Sequence, residues 1–176
     1  MSEAFEDMLT GGHPNSLGRT IEVVEHVLVA PNRFDELFGC YKSSDEVVRL
    51  RTSNAMKRVE KERHNLLVPY IDRFLEEIGE LDQASAQWTL AQLFDCLRED
   101  MSASQHAKAQ AIMQRNLATH QDWIVLNNSM ETLGKWSQSN DELRQWLIPH
   151  LKRLSAETRK SVSRRASKWL DRLVSD

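Results

Sequence analysis

Few residues in this chain have the types and spacing that enzymatic chemistry needs. Neither Cys40 nor Cys96 has a histidine at the spacing of a nucleophile–base pair, and no CxxC pattern occurs. The six histidines show no metal-ligand spacing. HExxH, Walker A, GxSxG and GxGxxG are all missing. We therefore expect no enzymatic activity, no cofactor, no catalytic residue and no metal ligand.

The residue types fit binding better than catalysis. The candidates for contact with a partner are mostly polar or basic, with one tryptophan among them. They are Leu50, Arg51, Asn54, Trp88, Gln92, Asn127, Glu131, Arg164, Arg165 and Lys168. Amide and guanidinium groups suit a peptide or another protein, and tryptophan is favoured at binding hot spots. Their use depends on the elements that position them.

Those elements are predicted to be helices. The chain has only 6 Gly and 4 Pro in 176 residues, so its elements must be long, and no segment alternates with period 2. Helix starts are indicated by capping boxes at Ser43-x-x-Glu46, Ser102-x-x-Gln105 and Ser139-x-x-Glu142, and by N-caps at Asp82 and Asp122. Helices are expected near 17–30, 32–41, 45–62, 65–80, 83–98, 103–118, 122–137, 141–154 and 157–174.

Four of these helices follow one template. An apolar or small residue stands at position 0 and again at +4, +7, +8 and +11, which is a single stripe of an α-helix. The copies are Val48, Thr52, Ala55, Met56 and Val59; Ala86, Leu90, Leu93, Phe94 and Leu97; Val125, Ser129, Thr132, Leu133 and Trp136; and Val162, Ala166, Trp169, Leu170 and Leu173. Their starts are 38, 39 and 37 residues apart. A second helix precedes each copy, so the pattern predicts stacked helix pairs.

This pattern resembles the HEAT repeat. The resemblance rests on the period, on Asp45-Glu46-Val47-Val48-Arg49 and on Asp122-Trp123-Ile124-Val125. The chain is also similar to small bacterial HEAT-like proteins of unassigned role, through Ser16-Leu17-Gly18-Arg19, VVRLRTSNAMKRV and QWTLAQLF. The resemblance implies an all-α, right-handed α-α superhelix, an armadillo-like solenoid of about four helix pairs plus an N-terminal helix. We expect one domain over 1–176, with 1–16 as an N-terminal tail or loop that is partly disordered.

In such a fold the second helix of each pair lines the concave surface. The ten candidates stand mainly at +2, +3 and +6 of the template, opposite or beside the core stripe, and are expected to line this groove. Trp88 has two interpretations: an anchor for a partner, or a residue that packs against the helix predicted at 65–80.

Two further segments have open interpretations. The loop 11–16 with Arg19 is either an anion cradle or a turn that docks the first helix. The basic last helix either contacts phosphates or forms the polar end-cap of the stack.

The expected function is a non-catalytic binding or scaffold module that holds a protein or peptide partner in its groove. The alternative is a DNA-binding protein resembling the HEAT-like alkylpurine DNA glycosylases, which would use Trp88, Asp95 and Arg51. A weaker option is a cofactor-chaperone or lyase role. The net charge of −3 disfavours nucleic acid.

Location and assembly are also predicted from the sequence. No run of apolar residues is long enough to span a membrane, and the acidic start MSEAFEDMLTGG does not fit a signal peptide. Two widely separated cysteines indicate a reduced compartment. We expect a cytoplasmic monomer or weak dimer.

Overall fold

The structure, a computed structural model, describes residues 2–175, and over these residues it is helical without strands. The helices are α1 Phe5–Leu9, α2 Thr20–Val29, α3 Phe34–Gly39, α4 Glu46–Arg63, α5 Ile71–Arg73, α6 Ala84–Leu97, α7 Ala103–Thr119, α8 Trp123–Ser137, α9 Asp141–Ser155 and α10 Lys160–Val174. A π-helical turn, Phe74–Ile78, continues α5. The all-α prediction is confirmed.

Side-chain caps explain where several helices begin. The capping box of Ser102 and Gln105 is present, and Asp122 accepts hydrogen bonds from two backbone N–H groups of α8, as predicted. The other two predicted boxes are wrong. The caps there are Asp45 and Asn140, whose side-chain oxygens accept from backbone N–H groups in the first turns of α4 and α9.

The repeated apolar stripe forms the core, as predicted. Nineteen of its twenty positions are buried on α4, α6, α8 and α10, and Leu170 is half-buried. Trp136 and Trp169 are among the largest fully buried side chains. Burial of this stripe is the main source of stability in these helices, because apolar area leaves water over the whole length of each one.

The N-terminal segment differs from the predicted tail. Residue 1 lies outside the described residues, but Phe5, Met8 and Leu9 form the buried face of α1. The guanidinium carbon of Arg33 lies 3.8 Å from the centre of the Phe5 ring. The apolar spacing of i, i+3 and i+4 gives even this short helix a face to bury.

The helix predicted over 65–80 is broken. Its first part consists of two 3₁₀ turns, His64–Leu66 and Val68–Tyr70, before α5 and the π-helical turn. Pro69, near the start of the second turn, has no backbone N–H to donate to a helical hydrogen bond. Packing of aromatic rings also contributes to this irregular geometry. The ring centres of Phe38 and Phe74 lie 5.0 Å apart in an edge-to-face arrangement.

The chain divides into two compact units, Met1–Thr89 and Leu90–Asp176, with the boundary inside α6. In unit 1, α4 packs against α1 and α2. In unit 2, α8 packs against α7, α9 and α10. Within residues 2–175 no helix has the length and apolar character that crossing a membrane requires.

Close approach of α8 and α10 depends on Gly134. A Cβ atom built there would lie 2.6 Å from the Trp169 indole carbon Cε2. We predict that Gly134→Ala lowers the free energy of unfolding by about 2 kcal/mol, because the buried indole has little room to move. Urea denaturation measures this. In the control, Gly39→Ala, the added methyl meets nothing within 4 Å, so equal losses in both variants would contradict the packing.

Candidate functional site

Arg51 is a buried cation in unit 1. Its side chain is on α4, and only 2% of the residue is exposed. The guanidinium donates to the backbone carbonyls of Leu9 at 2.6 Å, Gly11 at 2.7 Å, Ser16 at 3.1 Å and His13 at 3.2 Å. These carbonyls belong to the last residue of α1 and to the segment that follows it; residues 9–18 are called here the N-terminal loop. One side chain therefore fixes the path of the loop across α4.

The loop is shaped to fit this cation. Gly18 has a φ of +52°, and a Cβ atom there would lie 2.8 Å from the Arg51 guanidinium carbon, so only glycine fits. The loop directs its carbonyls inward, which suits a cation and not an anion. Arg19, expected near an anion, instead forms ion pairs with Glu3 and Glu22. These contacts favour the interpretation of the loop as a docking turn over that of an anion cradle.

The placement of Arg51 differs from the expectation that it leans into an open groove. Its neighbours Leu50 and Asn54 are half-buried, and they lie beside Trp88 of α6 and Pro14 of the loop. Two adjoining clefts of about 340 and 290 Å³ share Pro14, Leu50 and Trp88. We call this region the Trp88 cleft. It brings together four of the ten candidates, with Arg51 below the surface.

Trp88 is the chemically distinctive residue of the cleft. Its side chain is half-buried and lines both parts of the cleft. Its indole N–H donates to no group within residues 2–175, whereas Trp136 and Trp169 each donate to a carboxylate. An amphipathic ring with an available donor is typical of binding anchors.

The rim of the Trp88 cleft is polar and internally bonded. Arg49 Nη1 donates to the Ser43 carbonyl at 2.6 Å, and its Nε donates to Gln83 Oε1. Gln83 in turn donates to the Glu46 carbonyl at 3.2 Å. These bonds hold the start of α6 against α4, so the rim is preorganised before a partner arrives.

In unit 2, two polar side chains of α6 bind other helices. Lys135 Nζ lies 2.8 Å from Asp95 Oδ2, and the Trp136 indole donates to Asp95 Oδ1 at 3.3 Å. The ion pair raises the pKa of Lys135. Gln92 donates to Asn128 Oδ1 at 2.8 Å. Of the predicted groove residues, Gln92 therefore contributes to helix packing.

Glu131 repeats the arrangement of Asp95. Its carboxylate accepts from the Trp169 indole at 3.0 Å and from Arg165 Nη1 at 3.3 Å. A carboxylate that accepts an indole N–H and a charged donor is well satisfied, since both bonds are to an ionised group. Glu131 and Arg165 are thus joined to each other, and both are half-buried.

Four of the ten candidates, Asn127, Arg164, Arg165 and Lys168, lie close together in unit 2. With Trp123 and Ser161 they line a cleft of about 370 Å³ in unit 2, called here the Trp123 cleft. Trp123 is 48% exposed and was not among the candidates. The available signal was a tryptophan in the first turn of a template helix, outside its apolar stripe.

Two further groups that could carry chemistry, Cys40 and Tyr41, are buried. Cys40 is buried, and burial with nearby Glu6 and Glu36 raises the pKa of its thiol to about 12, which makes it a poor nucleophile. Burial also raises the pKa of Tyr41, whose hydroxyl is 3.0 Å from Ser53 Oγ. Among the described residues no group of three His, Cys, Asp or Glu side chains is placed to hold a metal ion.

Comparison with known proteins finds no match to a family model, to a curated protein or to a solved structure.

The buried guanidinium gives a testable prediction. We expect Arg51→Met to lower the free energy of unfolding by about 3 kcal/mol and to expose the N-terminal loop to proteases, because four carbonyls lose their shared donor. Arg51→Lys should recover less than half of this lost free energy, because an ammonium group cannot reach all four carbonyls at once. Urea denaturation and limited proteolysis measure both effects. Arg58→Met, at an exposed position of α4, is the control, and an equal effect there would contradict the role of Arg51.

A second prediction concerns Cys40 and pH. The pKa of its thiol is about 12 in the folded chain, against 9.0 for a cysteine without these surroundings, which represents the unfolded chain. Above pH 9 the unfolded state therefore loses a proton that the folded state keeps. Stability must fall as pH rises through this window. From pH 9 to 10 the free energy of unfolding should decrease by about 1 kcal/mol more in the wild type than in Cys40→Ala. Equal pH slopes in urea denaturation would contradict the burial of the thiol.

Proposed function

We propose that this chain is a non-catalytic binding module that recognises a peptide segment of a protein partner. The observation that carries the proposal is the face of α4, which holds an irregular chain segment, the N-terminal loop, by its backbone carbonyls. Contacts to backbone carbonyls do not depend on the sequence of the bound segment, because every residue has a backbone carbonyl. The same helix face is suited to a second peptide laid beside the loop.

The Trp88 cleft would supply the anchor for that peptide. Leu50 and Pro14 give apolar walls beside the indole, and polar groups of Arg49 and Gln83 stand at the rim. Such a mixture is usual in ligand-binding clefts, where apolar area gives affinity and a few polar groups give orientation. The indole N–H of Trp88 would donate to a carbonyl of the bound peptide.

The proposal includes the HEAT-like superhelix expected from the sequence. Its support is the burial of the repeated stripe and the helix that precedes each template helix, α3 before α4 through to α9 before α10. In a stack of such pairs, equivalent faces of neighbouring repeats would form one extended binding surface. We also propose that the protein acts in the cytoplasm as a monomer or weak dimer, since neither cysteine forms a disulfide in the part of the chain described.

The DNA-binding alternative finds less support. It needs Arg51 and Asp95 as functional groups, but Arg51 donates to backbone carbonyls and Asp95 accepts from Lys135 and Trp136. With both groups engaged inside the protein, a glycosylase-like site has neither its cation nor its acid.

The test is capture of partners from the native cell with the tagged full chain, followed by binding of peptides tiled from each captured protein. We predict that Trp88→Ala weakens peptide binding at least about tenfold, since hot-spot tryptophans contribute about 2 kcal/mol or more. Trp146→Ala is the matched control, because this half-buried tryptophan lies outside the cleft.

Isothermal titration of wild type and both variants against one tiled peptide distinguishes the outcomes. Unchanged affinity in Trp88→Ala would overturn the proposed anchor. Binding of duplex DNA that weakens steeply with salt, with no tiled peptide bound, would support the DNA-binding alternative instead.

A further inference from the structure

The Trp123 cleft carries positive charge that no described residue pairs. Arg164 and Lys168 are exposed and stand one turn apart on α10, where both line the cleft. Neither forms an ion pair with any of residues 2–175, whereas neighbouring Arg165 is paired with Glu131 at 3.3 Å. The surrounding unit 2 has 13 basic and 10 acidic residues, although the whole chain is acidic. The cleft is therefore complementary to a negatively charged ligand.

Asn127, which also lines the cleft, is neutral and buried. It is only 6% exposed, and its Nδ2 donates to Ser161 Oγ at 3.4 Å. Its Oδ1 atom is shielded from solvent. A ligand in the cleft therefore meets the cationic side chains of Arg164 and Lys168 rather than this oxygen.

The equivalent positions on α4 already hold a polypeptide segment. Arg164, Arg165 and Lys168 stand at +2, +3 and +6 of the template, where α4 has Leu50, Arg51 and Asn54. On α4 the arginine at +3 fixes the backbone of the N-terminal loop. On α10 the same helix face is open, and the residues at +2 and +6 are cations.

We propose that the Trp123 cleft binds an acidic peptide segment of a protein partner. Two carboxylates of the peptide pair with Arg164 and Lys168. An apolar or aromatic side chain of the peptide packs on the exposed face of Trp123. The inference concerns unit 2 alone and does not rest on binding at the Trp88 cleft.

The number of unpaired cations favours a peptide over a single-stranded nucleic acid. Cations and an exposed tryptophan would suit either ligand. A nucleic acid, however, has a negative charge at every nucleotide and needs a broadly basic surface, whereas the chain has a net charge of −3. A short acidic peptide needs only a few cations, and Arg164 and Lys168 supply two of them.

Fluorescence anisotropy with the full chain tests this proposal. The probe is a short fluorescein-labelled peptide of alternating glutamate and leucine, at low salt. Lys168→Glu should weaken its binding about tenfold, because a carboxylate would meet a like charge. The matched control is Lys152→Glu, which reverses another exposed lysine of unit 2 that lies outside the cleft and should change affinity less than about twofold. Circular dichroism confirms that both variants fold.

The remaining outcomes overturn the proposal. Equal losses of peptide affinity in Lys168→Glu and Lys152→Glu would show that binding depends only on the net charge of the protein. Equal binding of the matching glutamine–leucine peptide would exclude carboxylate recognition. No binding of the glutamate peptide at low salt would refute the site, and tighter, Lys168-dependent binding of oligo(dT) would assign it to single-stranded nucleic acid. Trp88→Ala should leave the affinity unchanged, which separates this site from the Trp88 cleft.

Discussion

The burial of the Arg51 guanidinium is the constraint on which the organisation of unit 1 depends. Removing a cation from water costs several kcal/mol, and hydrogen bonds to backbone carbonyls offset this cost only when the carbonyls are held in fixed positions. The N-terminal loop supplies four of them, which requires glycine at position 18 and brings the loop onto the surface of α4. The Trp88 cleft lies where residues 14–17 of this loop face Leu50 and Trp88.

Internal pairing decides which polar groups remain available for partners. In unit 2, Glu131 is engaged with Arg165 and Trp169, so a residue that looks functional by position holds helices together. The groups that remain available are the Trp88 indole N–H and the cations of Arg164 and Lys168. Both proposed sites are places where the fold leaves hydrogen-bonding capacity or charge unmatched next to an accessible aromatic ring.

The sequence predicts the parts of this structure that depend on local spacing. The stripe that begins at Val48 and the cap at Asp122 are local, and both are confirmed. The burial of Arg51 could not be predicted, because its acceptors lie 35 to 42 residues away along the chain. The 3₁₀ and π turns of 64–78 likewise depend on long-range packing of rings such as Phe38 and Phe74. Arg164, Arg165 and Lys168 were candidates because they share one face of α10, whereas Trp123, which lines the same cleft, was not among the candidates.

The central claim, that Arg51 holds the N-terminal loop on the face of α4, is tested most directly by NMR of arginine side chains. Protons that donate to buried carbonyls exchange slowly with water, and those of exposed guanidinium groups exchange rapidly. We predict that the Nε and Nη protons of Arg51 persist at neutral pH and correlate across hydrogen bonds with the carbonyls of Leu9 and Gly11. Rapid exchange of the Arg51 protons, like those of exposed Arg58, would contradict the account.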